Sequence, residues 1–162
     1  AVPVGAMIEV PAAALTIDAM AEHAAFLSVG TNDLIQYTLA VDRTDDRLAR
    51  EYAATSPAVL RLLRTSAVQA RRSRCEVSVC GEMAADPLLV PLLVGLGYRR
   101  FSMAPAAIAG VKHALSALDV RQATILARQA VLARSAHEVD QLLAVMARSV
   151  REAVDSSVKE PA

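Results

Sequence analysis

Phe26-Leu27-Ser28-Val29-Gly30 runs without a charged residue into Thr31-Asn32-Asp33, and two further stretches repeat the form. Val4 to Val10 carries Glu9, and Val77 to Val79 is followed by Cys80-Gly81-Glu82. Buried parallel strands read as near-continuous apolar runs, and a (β/α) barrel draws its reactive groups from strand C-termini, where the βα loops gather at one face. Three short apolar runs, each ending on polar and reactive residues, therefore predict strands whose ends meet in one site.

Working outward, the chain divides into four strand-then-helix units. Val4 to Val10 leads through Pro11, a favoured first helical residue, into an alanine-rich helix reaching about His23. Phe26 to Gly30 leads to Thr31-Asn32-Asp33, whose side chains suit a helix cap, and a short helix follows through Ala40. A polar linker with Asp42, Arg43, Asp45 and Asp46 comes next, and Ser56-Pro57 then opens a helix to about Arg74. The third strand, Glu76 to Cys80, precedes Asp86-Pro87, which opens a helix ending near Gly95-Leu96-Gly97. A fourth strand, Arg100 to Met103, leads to a helix from about Ala106 to Leu118, and the pattern after Asp119 is wholly helical. Residues 1–150 are expected to form a partial (β/α) barrel domain, with 151–162 a frayed tail.

Four such units are half of the eight that close a barrel, and half a barrel leaves two sheet edges and an inner face unpaired. The isolated chain is thus expected to self-associate or to be partly ordered. It begins at Ala1, immediately before an apolar strand and without an initiator methionine, and reads as cut from something longer.

Of the 162 residues, 54% are hydrophobic, enough for one domain with a real core. Seventeen basic residues balance seventeen acidic ones, so no net field draws nucleic acid or an anionic membrane, and any anion must be held locally. Pro87 to Tyr98, the longest apolar stretch, is too short for a membrane span and contains Pro91, Gly95 and Gly97. Cys75 and Cys80 lack zinc-site spacing, and a strand between them would hold them too far apart for a disulfide. Reduced thiols and no signal peptide point to the cytoplasm.

Glu9, inside an apolar strand, needs a cation, a metal or a partner. With Asp33 from the neighbouring strand end it would make an octahedral magnesium site completed by water and substrate oxygens. The alternative is that Glu9 pairs with an arginine and Asp33 only caps a helix. Asn32 can donate to an anionic oxygen and Arg43 can grip a phosphate or carboxylate, or both are solvated loop residues. Cys80, at a strand end beside Gly81, is placed for a nucleophile or proton donor, whereas Cys75 reads as a small buried hydrophobe. Arg61, Arg64, Arg71, Arg72 and Arg74 read as a solvated helix face. His23, His113 and His137 lie in alanine-rich helices with no catalytic context.

Taken together, Met7-Ile8-Glu9-Val10-Pro11-Ala12-Ala13, Gly30-Thr31-Asn32-Asp33-Leu34, Tyr37-Thr38-Leu39-Ala40-Val41-Asp42-Arg43 and Cys80-Gly81-Glu82 resemble the phosphoenolpyruvate-utilising enzyme family. Within it the likeness is greatest to the phosphoenolpyruvate-protein phosphotransferases, enzyme I of the bacterial phosphotransferase system, and it extends through Ser56-Pro57-Ala58-Val59-Leu60 and Phe101-Ser102-Met103. The resemblance implies the C-terminal half of a (β/α)8 TIM barrel, four βα units plus C-terminal helices, that binds phosphoenolpyruvate. It implies Mg2+ on Glu9 and Asp33, substrate held by Asn32, Asp33 and Arg43, and Cys80 as the acid/base that exchanges a proton with the enolate carbon. Two departures stand out: Ile35 replaces a threonine and could alter packing behind the metal loop, and Ala85 replaces a glycine and could stiffen the Cys80 loop.

In that family the phosphoryl group passes to a histidine on a mobile domain, then to a small histidine-containing phosphocarrier protein that serves sugar transport or, in paralogues sharing these motifs, a nitrogen-related pathway, and the complete enzyme is expected to be a homodimer. That histidine motif and the first half-barrel are absent from this sequence, so the chain alone is expected to be inert. Other readings are a pyruvate phosphate dikinase or phosphoenolpyruvate synthase domain, a magnesium-dependent carbon-carbon lyase barrel, and a non-catalytic dimerisation or ligand-sensing fragment. Cys80 in its Cys-Gly-Glu context speaks against the lyase.

Overall fold

The computed structural model describes residues 1–45, 47–48, 53–116 and 118–159, with the side chains of 149–159 left aside. Its strands are β1 (Ala6–Ile8), β2 (Phe26–Gly30), β3 (Glu76–Cys80) and β4 (Phe101–Ser102). The helices are α1 (Pro11–Leu15), α2 (Ile17–Ala21), α3 (Thr31–Leu39), α4 (Pro57–Arg72), α5 (Glu82–Ala85), α6 (Val90–Leu96), α7 (Pro105–Ser116), α8 (Val120–Leu132) and α9 (Ala136–Lys159). The four strands form one parallel sheet in chain order, as the strand-then-helix rhythm predicts.

Register sets which side chains share a face. Ile8, Val29 and Val79 align across the sheet, are fully buried, and join Leu27 in the main core beneath the helices. The other face carries Met7, Ser28 and Ser78 in one row and Phe26 opposite Glu76 in another. It is open: Met7 is 48% and Phe26 43% exposed. One face buried and one bare is what four βα units produce when helices cover only the outside of the sheet.

Helix α4 buries Val59, Leu60, Leu63, Ala67 and Ala70 at helical spacing. Arg61, Arg64, Arg71 and Arg72 are exposed. Arg61 also donates to the Val131 and Ala133 carbonyls at 3.0 and 3.4 Å, tying α4 to the end of α8. Helix α6 is buried almost throughout and crosses α8 closely at Gly95, where a Cβ would strike the Ala123 carbonyl. The Tyr98 hydroxyl, fully buried, donates to the Leu63 carbonyl at 2.8 Å, and burial pushes this phenol above its ordinary range. A smaller cluster of Val90, Val94 and Val111 seats α7.

Several expected boundaries move. Strand β1 stops at Ile8, so Glu9 stands just past the strand end. The expected helix to His23 breaks at Thr16, whose hydroxyl bonds back to the Ala12 carbonyl at 2.9 Å, and His23 falls in the turn after α2. The cap of α3 is Gly30 and Thr31 is already helical, while Ser56 holds the N-cap position of α4 without a side-chain capping bond. Asp86-Pro87 lies in a turn, and α6 starts at Val90. The segment expected to fray begins inside α9, whose backbone is helical to Lys159, and residues 160–162 lie outside the described residues, as does Asp46 of the polar linker. No described helix is long and apolar enough to cross a membrane.

Candidate active site

Three strand ends converge at the C-terminal edge of the sheet. Glu9 follows β1, Asn32 and Asp33 occupy the first turn of α3 directly after β2, and Cys80 ends β3 opposite Gly30. Glu9 leans over the neighbouring strand end: a Cβ at Gly30 would lie 3.2 Å from Glu9 Oε2 and 3.3 Å from Met7 Sδ. The glycine leaves room for that carboxylate.

Glu9 and Asp33 are both partly buried and make no hydrogen bond or ion pair among the described residues. Two partly desolvated carboxylates without protein partners on adjacent strand ends are a hard-oxygen donor set that fits magnesium. No group of three His, Cys, Asp or Glu residues suited to a metal occurs among the described residues, so water and substrate would complete the shell. The alternative pairing of Glu9 with an arginine is not found among the described residues.

Cys80 is half-buried on the open face. Its thiol reaches the Val29 carbonyl at 3.5 Å and Met7 Sδ at 3.9 Å, and the Ser28 hydroxyl approaches its sulfur at 3.5 Å. These contacts are long, as sulfur contacts are. The backbone around it is held more tightly. The Thr31 hydroxyl donates to the Cys80 carbonyl at 3.0 Å, and Asn32 Oδ1 accepts the Glu82 N–H at 2.9 Å while Asn32 Nδ2 donates to Glu82 Oε1 at 3.4 Å. Gly81 between them has φ +99° and sits against Thr31 Oγ1 and Asn32 Oδ1, so both its conformation and its surroundings exclude a side chain.

Arg43 lies in the turn after α3, where its backbone N–H donates to Gln36 Oε1 at 3.3 Å. Its guanidinium is exposed and makes no ion pair among the described residues. Beside it, the Thr44 N–H and hydroxyl both donate to Asp42 at 2.8 Å and hold that carboxyl below its usual range. Ile35 is buried in the main core and Ala85 closes α5. His23, His113 and His137 are all exposed. Cys75, at the other end of β3, is only partly buried. Burial, and secondarily the Glu76 carboxylate, push its thiol up. From the sequence Thr31 reads only as a helix cap, Glu82 only as part of a motif, and Ser28 carries no signal of its place beside Cys80.

Residues 1–120, which include all four strands and this edge, match the family described as PEP-utilising enzyme, PEP-binding domain. The chain belongs to this family. Over 146 residues, 90% of the chain, it is 44% identical to a Salmonella typhimurium protein named phosphoenolpyruvate-dependent phosphotransferase system, covering 20% of that relative. It is 51% identical over 110 residues to the phosphoenolpyruvate-protein phosphotransferase of Cupriavidus necator, which is 68% of the chain and 19% of the relative. With the protein of the same name from Listeria monocytogenes it shares 39% over 142 residues, 88% of the chain and 25% of the relative. The chain thus spans a fifth to a quarter of the length of these curated relatives, and α9 and all of α8 after its first residue lie beyond the family match.

Proposed function

We propose that this chain is the C-terminal half of the phosphoenolpyruvate-binding barrel of a phosphoenolpyruvate-protein phosphotransferase, active when the remaining barrel strands and a phosphohistidine domain are supplied. The observation that carries the reading is the meeting of Glu9, Asn32, Asp33 and Cys80 at one edge of a parallel sheet whose inner face is bare. The four strands lie side by side in barrel order, and a second set of four would cover Met7 and Phe26.

Each residue then takes a role. Glu9 and Asp33 hold Mg2+, while Asn32 and Arg43 donate to the phosphate and carboxylate oxygens of phosphoenolpyruvate. Magnesium, when bound, supplies positive charge beside the oxygens on which negative charge develops. The bond from phosphorus to the enol oxygen breaks and its electron pair stays on that oxygen as the enolate. The phosphoryl group passes to a histidine of another domain and from there to a histidine-containing phosphocarrier. Cys80 Sγ–H gives its proton to the methylene carbon, yielding pyruvate, and the thiolate recovers a proton from water. Positioning and electrostatic stabilisation carry the phosphoryl step, and acid/base chemistry carries the second.

A cytoplasmic homodimer that feeds a sugar-uptake or nitrogen-related phosphocarrier is the setting of this reading. In the complete enzyme, Cys80→Ala should slow deuterium incorporation into the pyruvate methyl group in heavy water, with phosphorylation of the enzyme by phosphoenolpyruvate much less affected. Cys75→Ala should change neither. Unchanged exchange in Cys80→Ala would remove the thiol from the mechanism.

A further inference from the structure

The contacts of the Cys80 sulfur, at 3.5–3.9 Å, are of ordinary length for sulfur, a weak donor and acceptor, and hold the thiol less firmly than hydrogen bonds between nitrogen and oxygen would. Its position is set by the backbone that carries it, and that backbone is anchored from another strand. Thr31 is fully buried at the first position of α3, and its hydroxyl donates to the Cys80 carbonyl at 3.0 Å across 49 residues of chain. The next residue, Asn32, takes the Glu82 N–H, so two consecutive residues grip the turn on both sides of Gly81.

We propose that Thr31 is the positioning residue for the Cys80 thiol, fixing it relative to the Glu9 and Asp33 carboxylates. The inference rests on the reading of Cys80 as proton donor and adds to it a buried hydroxyl that never touches substrate. Asp33 lies two residues after Thr31 on the same helix turn, so one hydrogen bond couples the loop that would hold the metal to the loop that holds the acid. A partly buried carbonyl that loses a donor costs free energy unless the turn shifts, and a shift here displaces the thiol. Proton transfer is sensitive to such a displacement because donor and carbon must stay within hydrogen-bonding reach.

The test uses the complete enzyme and two readouts, deuterium incorporation into the pyruvate methyl group and single-turnover phosphorylation by phosphoenolpyruvate. Thr31→Val keeps the shape and removes the donor. It should slow exchange about tenfold, the scale of one lost hydrogen bond, while phosphorylation changes less than about twofold. Thr31→Ser restores the donor and should recover most of the exchange rate. Thr31→Ala is read in the same way should the branched valine disturb the fold. Exchange at the wild-type rate in both Val and Ala variants, an equal fall in both readouts, or no recovery with Ser would overturn the proposal. Cys80→Ala serves as the separate check on the underlying reading: if it exchanges normally, both fall, whereas normal Thr31→Val exchange beside a slow Cys80→Ala removes only the role of Thr31.

Discussion

Asn32 and Glu82, fifty residues apart, exchange two hydrogen bonds: the Glu82 N–H donates to Asn32 Oδ1 at 2.9 Å and Asn32 Nδ2 donates to Glu82 Oε1 at 3.4 Å. The first of these satisfies an amide at the start of α5 that the four-residue helix cannot satisfy itself. Because Oδ1 is committed to that N–H, the Nδ2 end of the amide is the donor end, as the proposed contact to phosphate requires.

Asn32→Ala should therefore destabilise the chain by about 1 kcal/mol, the usual cost of a lost N-terminal cap. Asn32→Asp keeps the acceptor for the Glu82 N–H and should recover part of that stability, its other oxygen facing Glu82 Oε1, and it loses the amide donor proposed for phosphate. Urea unfolding of the three proteins, with phosphorylation by phosphoenolpyruvate in the complete enzyme, separates the effects. Equal loss of activity and stability in Asn32→Asp would show that Asn32 matters only as a cap.

Two glycines should respond with opposite sign to the same change. Gly95 faces the Ala123 carbonyl, and a Cβ there would also come within 2.8 Å of the Ala127 Cβ, so Gly95→Ala forces α6 and α8 apart at a cost of about 1–3 kcal/mol. Gly110, inside α7, would place its Cβ 3.4 Å from Pro87 Cγ, an ordinary contact. Gly110→Ala should stabilise by about 0.5–1 kcal/mol through helix propensity. Thermal melting of both variants checks the pair.

Cys75 should make stability fall in alkali. Its folded thiol is raised above the ordinary value, so the folded state holds its proton where the unfolded chain has begun to release it. The contribution is complete below the ordinary thiol range and is lost as pH rises through the folded value. Cys75→Ser should flatten that part of the stability profile relative to wild type. In a Cys80→Ala background, alkylation of Cys75 should reach half its maximal rate at higher pH than a free cysteine does. A midpoint at or below the free thiol would contradict the burial argument.

Strands β2 and β3 were readable to the residue because Phe26–Gly30 and Glu76–Cys80 are short apolar runs with polar or glycine stops. Strand β1 was read too long. Val4 is exposed, and its carbonyl takes the Ala25 N–H at 2.8 Å outside the regular ladder. The break at Thr16 was hidden because alanines on both sides carry no amphipathic period. Four-residue α5 has too few turns to show any period. At the site, Glu9 stands out as a charge inside an apolar run and Asn32, Asp33 and Cys80 as polar residues where such runs end, whereas Thr31 reads only as a helix-cap residue. Its hydrogen bond joins residues 49 apart and leaves no trace in spacing.

The most direct test of the central claim is phosphorylation of the complete enzyme by phosphoenolpyruvate and Mg2+, comparing wild type with Glu9→Gln and Asp33→Asn. Both variants keep side-chain size and remove one negative charge from an edge where neither carboxylate has a hydrogen bond or ion pair among the described residues. The account predicts that each loses about a hundredfold or more in rate, because several kcal/mol of charge stabilisation depend on the bound cation, while melting temperatures stay near or above wild type as like charge is relieved. Near-normal phosphorylation in both variants would contradict it.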